Sequence, residues 1–422
     1  MKHAVAALLA VLALVGCQGS ESAERPTSSA AEAEPETDVD VLLAAIEEMH
    51  PNPWHDIAEE EFRAAAAKLE GDWPGLAEHE RLVELMRLLG LLGERDGHTG
   101  IHSHESAHAY PVYVYAFSDG IHVAASIGHD DLVGARLVAV EETPAEEVLE
   151  AVRPLVGRDN DWSQLMRATA LMITPEVLHG LGIVHDMGPA AFTLDLPDGA
   201  TRDVELEPIP FADYLEGLHG AFPMFPDALP ARDDLVALQN LDQNLWLTKL
   251  DGGRALYVGY HHTIGATSAV ADRLLRLARD PPVERIVVDV RQNGGGDNTT
   301  YGPLLHALSS PEIDRPGRLY ALIGRATFSA AGNFVTELER ETGAVLVGEP
   351  TGGAPNQYGD SETVPLPETG WTAYLPVVYV EKSDPDDPRV AVEPDVPVAW
   401  SAEDFFAGRD PALSAALRRA PR

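Results

Sequence analysis

From residue 254 onward, short apolar runs alternate with stretches whose apolar residues fall three and four apart. The runs at 256–260, 285–290, Leu319–Ile323 and 344–347 have the length and aliphatic content of buried strands. Between and beyond them, 267–279, 299–308 and 331–341 read as helices; in the last, Ala331, Phe334, Val335 and Leu338 share one face. Strands alternating with helices predict right-handed parallel βαβ units. The run at 371–380 predicts a covering strand, and DPALSAALRRA a closing helix. Upstream the texture differs. Leu42, Leu43, Ile46 and Met49 mark a first helix that stops at His50-Pro51, an alanine-rich stretch at 59–69 a second, and Leu82, Leu85, Met86 and Leu89 a third. Residues 110–127 form a strand, an Asp119-Gly120 turn and a second strand; 134–152 add a strand and a helix start, and 190–207 another hairpin around Asp198-Gly199.

These patterns divide the chain into a helical cap over 38–105, a small α+β region over 106–207, a proline-bearing linker over 208–235 and an α/β core over 236–422. Residues 1–17 carry Lys2 and His3, an apolar run from Ala4 to Val15 too short to span a bilayer, and then Gly16-Cys17. Leu14-Val15-Gly16-Cys17 resembles a bacterial lipobox, which makes Cys17, the single cysteine, the expected lipidation site and excludes a disulfide framework. Residues 18–37 are polar, acidic and of low complexity, the composition of a disordered tether. A lipid anchor on such a tether implies a membrane-attached protein of the bacterial cell envelope.

Acidic residues outnumber basic ones 68 to 30, for a formal net charge of −38. That balance argues against nucleic acid as a partner, because the phosphate backbone calls for a basic face.

The candidate chemistry gathers at turns. Ser329 lies where the Leu319–Ile323 strand gives way to a helix. The residue suits an N-cap there, and equally a nucleophile whose oxyanion the helix N-terminus would stabilise. The small residues after it would admit a substrate backbone; the surroundings do not match the G-x-S-x-G elbow. RQNGGGDNTT (291–300) follows the buried strand directly, and its three glycines can turn backbone N–H groups toward a ligand. Neither a G-x-G-x-x-G nor a G-K-[ST] pattern is present, so an oxyanion-binding loop fits better than a phosphate site. His98, His102, His104 and His108 crowd together without the Cys or Glu spacing of a zinc site, so no metal and no cofactor is expected. His98 is one candidate general base, and His261-His262 is a spare one. Glu393 or Asp395 could orient a base.

Taken in order, VVDVRQNGGGDN, RATFSAAGNF, VGEPTGGAPNQYGD, VEPDVPV and FFAGRDPALSAAL resemble the C-terminal-processing (tail-specific) serine peptidase family, over about residues 236–420. HPNPW (50–54), RDGHTG (95–100) and the GARLVAVEETP stretch, similar to a degenerate PDZ-like element, extend the resemblance upstream. It implies an α/β fold with a ClpP/crotonase-like spiral core and Ser329 as nucleophile. It also implies an oxyanion hole from the N–H of Ala330 and one N–H of Gly294, Gly295 or Gly296. In one branch of the family the base is a lysine 25 positions after the serine; here that position is Ala354. The tricorn-like branch uses an upstream histidine, which RDGHTG supplies as His98. The expected set is therefore Ser329 and His98 with Glu393 orienting, acting on peptide substrates. A catalytically silent relative that binds peptide tails or hydrophobic ligands, as the retinoid-binding modules of the family suggest, is the alternative.

Overall fold

The computed structural model describes residues 37–102, 107–218, 229–280 and 283–418. Cys17 and nearly all of the expected tether lie outside the described residues.

The alternation after residue 254 produces a six-stranded sheet. Leu245–Leu250 runs antiparallel to Ala255–Tyr260; Arg285–Asp289, Leu319–Ile323, Val345–Gly348 and the short Val396–Pro397 then follow in parallel. Both faces are buried, as they must be for parallel strands with continuous apolar runs. On one face Leu256, Val258, Ile286, Val288 and Ala321 pack with Phe334 and Leu338 of the helix Ser329–Glu341. On the other, Tyr257, Val287, Tyr320 and Leu322 pack with Ala412, Leu413 and Ala416 of the closing helix Pro411–Arg418. The expected α/β core and its helices are present, displaced by at most three residues at their ends.

The helices Asp38–Met49, Glu59–Asp72 and Glu78–Gly90 form the expected cap. The middle region is a mostly antiparallel sheet built on the hairpins Val112–Phe117/Gly120–Ser126 and Ala190–Asp195/Thr201–Leu206, with Arg136–Val140 between them. Two helices that no clear periodicity announced, Asp161–Leu171 and Pro175–Gly180, cover it. The 208–235 stretch contains the helix Phe211–Gly217, and Leu229 and Leu235 are buried. One hydrophobic cluster runs through all of these parts, from Val39 to Phe405, and the residues from Thr37 onward make one compact unit.

One element has a different place from the one expected. The run at 371–380 does not cover the six-stranded sheet. It is the strand Thr372–Glu381, the centre of a separate three-stranded sheet between Asn356–Pro365 and Gly100–His102. Gly100, Ile101 and His102 pair with Tyr374, Ala373 and Thr372. The hairpin that follows Ser329 thus reaches back and takes hold of the chain two residues after His98. This sheet is one physical link between the two ends of the sequence.

Candidate active site

Ser329 stands at the start of its helix with φ of +49°, the left-handed region that non-glycine residues seldom occupy. The turn that imposes this is fixed from three sides. The Gly324 amide donates to Thr327 Oγ1, which donates in turn to the Val290 carbonyl at 2.9 Å. The Phe328 amide donates to the Asn293 carbonyl at 3.1 Å, and the Gly353 amide to the Thr327 carbonyl at 3.0 Å. Phe328, not Ser329, is the capping residue, and it makes no side-chain cap. The hydroxyl of Ser329 points elsewhere: its Oγ lies 2.9 Å from His98 Nε2, across 231 positions of sequence. A strained backbone that aims a hydroxyl at an imidazole is the arrangement of a nucleophile.

His98 is held as firmly. His98 stacks at 4.6 Å on Phe328, whose ring also lies 4.4 Å from the Arg167 guanidinium. Arg167 donates to the carbonyls of Gly97 and Gly157. The His98 carbonyl accepts from Ser361 Oγ at 2.7 Å, which ties the base to the Asn356–Pro365 strand. Burial and then the Arg167 charge push the imidazole down to about 4, while Asp96 and the main chain of Tyr358 oppose this. The ring is only half-buried and faces an open cavity, so water moderates that depression. The direction stands: His98 is neutral at pH 7, as a proton acceptor must be.

Glu393 does not orient His98. It is exposed, and no carboxylate hydrogen-bonds His98 Nδ1 among the described residues. Its neighbour Asp395 is occupied in accepting the Leu346 amide at 2.9 Å. The loop following Val392 lies beside the Val345–Gly348 strand, whereas His98 is reached from the cap side. The acid that acts on His98 electrostatically is Asp96, two residues before it, a residue within RDGHTG that the sequence did not single out. Asp96 is buried, accepts from Thr99 Oγ1, and lies 3.2 Å from His50 Nε2.

The glycine loop abuts Ser329. Gly295 has φ of +115°, and a Cβ built on it would stand 2.6 Å from Ser329 Cβ and 3.1 Å from Ala330 N. Its amide, however, donates to Asn293 Oδ1 at 3.0 Å and is not available to a ligand. Gly295 therefore contributes its lack of a side chain, while Gly294 and Gly296 line the cavity beside Ser329 and His98. The Ala330 amide, in the first turn of the helix, faces the same corner.

That cavity has a volume of about 670 Å³. It runs from Ser329 and His98 inward between Leu82 and Met86 of the cap, Met166 and Ala170 of the Asp161–Leu171 helix, and Trp371. The lining is predominantly apolar.

The other histidines do different work. His261 Nδ1 and His262 Nε2 each lie 3.3 Å from a carbonyl, those of Asn240 and Leu241, and neither residue lines the cavity that holds Ser329. His108 pairs with Glu176 at 2.9 Å, and His104 lies outside the described residues. His50, His55 and Asp96 lie close enough together to suggest a metal site. His50 Nδ1 accepts the Asn52 amide, and both nitrogens of His55 face carbonyls, Asn52 at 3.0 Å and Glu94 at 2.7 Å. His50 Nε2 and Asp96 Oδ2 face each other at 3.2 Å without a hydrogen-bond partner among the described residues.

No family model and no curated protein matches the sequence. Solved structures do match the fold. A mutant of CPAF covers 91% of this chain and 98% of its own length at a TM-score of 0.62 with 13% identity. Mature CPAF complexed with lactacystin covers 88% of this chain and 94% of its own at 0.58, again with 13% identity. The photosystem II D1 C-terminal processing protease matches more distantly, at 0.38 and 14% identity, too low to carry weight. The chain shares the CPAF fold over nearly its whole described length.

Proposed function

We propose that this protein is a serine peptidase that cleaves peptide bonds through an acyl-enzyme on Ser329, with His98 as general base. The observation that carries this reading is the 2.9 Å approach of His98 Nε2 to Ser329 Oγ at a left-handed serine on a helix start. His98 takes the hydroxyl proton through Nε2 as Oγ attacks the scissile carbonyl. The oxyanion that forms meets the Ala330 amide and one amide of Gly294 or Gly296, reinforced by the positive end of the Ser329–Glu341 helix. The imidazolium is stabilised by the Asp96 charge and the Tyr358 main chain until it returns its proton to the leaving amine. Water activated by the same nitrogen then releases the acyl group. The apolar cavity supports substrates that place a multi-residue apolar segment beside the scissile bond.

Incubation of the purified protein with a mixture of peptides, read by mass spectrometry, tests this. Cleavage next to apolar segments that disappears in Ser329→Ala is the expected result; equal cleavage by the variant would refute it. A second reading is favoured by the same cavity together with the lack of a carboxylate on His98 Nδ1 among the described residues: a silent relative that binds apolar peptides without cutting them. Saturable peptide binding with no products would select it.

The reading extends to location. The Leu14-Val15-Gly16-Cys17 segment supports a lipid-anchored protein of the cell envelope. Incorporation of a fatty-acid label into the wild type but not into Cys17→Ser is the expected outcome.

A further inference from the structure

Asp159 belongs to no motif and touches neither Ser329 nor the cavity, yet it is fully buried between the two halves of the site. Its Oδ1 accepts the amide of Gly97, the residue before His98, at 2.7 Å. Its Oδ2 accepts the amide of Ala354, in the segment whose Gly353 amide holds the Thr327 carbonyl two residues before Ser329, at 2.9 Å. Main-chain bonds reinforce the junction: the Arg95 amide donates to the Asp159 carbonyl at 3.1 Å and the Asp96 amide to the Arg158 carbonyl at 3.0 Å. Gly97 has no room for a side chain here, since a Cβ would meet Asp159 Oδ1 at 2.7 Å and the Phe328 ring at 2.9 Å. One carboxylate therefore spans from the base loop to the nucleophile turn.

We propose that Asp159 is the positioning residue of this site, a clasp that sets His98 in register with Ser329 through two main-chain amides rather than through the imidazole itself. The inference rests on the reading of Ser329 and His98 as nucleophile and base. It also accounts for a base that lacks an orienting acid on Nδ1: the loop is oriented instead of the ring.

The clasp is sensitive to protons. Two N–H donors are held best by the ionised carboxylate, whose two oxygens are both strong acceptors; protonation turns one of them into a hydroxyl, a much weaker acceptor for an amide hydrogen. Burial raises the Asp159 carboxyl to about 7. The Ala354 and Gly97 amides and the Arg167 charge, from the helix packed against it, favour the ionised form, and the Asp96 charge opposes it. As pH falls through about 7 the clasp opens while His98 is still neutral. Activity then has an acidic limb that belongs to Asp159, separate from the one His98 would impose lower down.

The test uses the full-length protein and a fluorophosphonate probe, with labelling rate at Ser329 followed from pH 5 to 9 alongside the ¹H–¹⁵N resonances of Gly97 and Ala354. The clasp predicts that both amides titrate together, at the midpoint of the acidic limb of labelling. It also predicts that Asp159→Asn, which pairs with only one amide, labels ten- to a hundred-fold more slowly at pH 8 and loses that limb. Amides that do not shift over this range, or a variant with the wild-type rate and limb, overturn it. Should the variant fail to fold, the wild-type midpoints decide alone. Should Ser329 not label at any pH, the peptidase reading fails, and the amide titration still judges the clasp.

Discussion

At the scale of single residues the site depends on space as much as on functional groups. Gly295 sits with φ of +115° against Ser329 Cβ, its amide committed to Asn293. Gly295→Ala would add both backbone strain and a contact at 2.6 Å, so the nucleophile turn must shift. A misplacement of about 1 Å costs on the order of 100-fold in rate, so this variant should lose most of its labelling by a serine-directed probe. It should keep a cooperative thermal transition, seen by circular dichroism. The sign of the pH dependence at His98 is equally definite. A histidine whose folded pKa is depressed is neutral above that pKa, so lowering the pH toward 4 charges it and removes the base. In Asp159→Asn, where the clasp no longer titrates, the remaining acidic limb of kcat/KM should lie below the ordinary histidine value of 6.5. A limb above 6.5 in that variant would contradict the burial of this ring.

Single residues also show how far the sequence could be read. Ser329, His98 and the glycine loop stood out because each lies in a motif or at a turn with a recognisable purpose. Asp159 and Asp96 did not, since a buried carboxylate is written with the same letter as the many exposed ones in a chain with 68 acidic residues. Glu393 illustrates the reverse: a carboxylate in a recognisable motif that proves to be exposed.

At the scale of elements, buried parallel strands announce themselves through continuous apolar runs, and the core was legible for that reason. The bridging sheet was not. Gly100–His102 is three residues long, too short for any periodicity, and its partner 371–380 looks the same wherever it packs. The helix Asp161–Leu171 was missed as well, although its cap carries much of the tertiary burden. Asn160 Oδ1 accepts the Trp162 and Ser163 amides, while Nδ2 donates to the carbonyls of Thr351, Gly352 and Val390 at 3.1, 3.1 and 2.6 Å. Asn160→Ala therefore removes an N-cap and leaves buried carbonyls unpaired. With about 1 kcal/mol for the cap and about 1–3 kcal/mol for the unpaired groups, a loss of roughly 2–4 kcal/mol is expected, measurable as a lower urea midpoint at unchanged slope. A change within about 0.5 kcal/mol would show that this junction carries little.

At the scale of the whole molecule, the cap, the middle sheet and the bridging hairpin share one hydrophobic cluster, which fixes His98 against a core folded from the other end of the chain. The chain carries its charge unevenly matched: a formal −38 over 422 residues leaves much of the surface self-repelling. Ion pairs such as Arg291 with Asp289 and Asp410 are buried and little screened. Added salt therefore acts mainly on the unpaired acids and should stabilise the fold. The thermal midpoint at pH 7.5 should rise between about 10 and 200 mM sodium chloride, over which the Debye length falls from roughly 30 to below 10 Å. A fall would mean that attractive surface pairs dominate.

The central claim, that His98 makes Ser329 a nucleophile, is tested most directly by mapping where and how fast a fluorophosphonate reacts. The wild type should carry one adduct, on the peptide containing Ser329, with none in Ser329→Ala and a rate at least 100-fold lower in His98→Ala. A label on another residue, or a His98→Ala protein that reacts as fast as the wild type, would contradict the account.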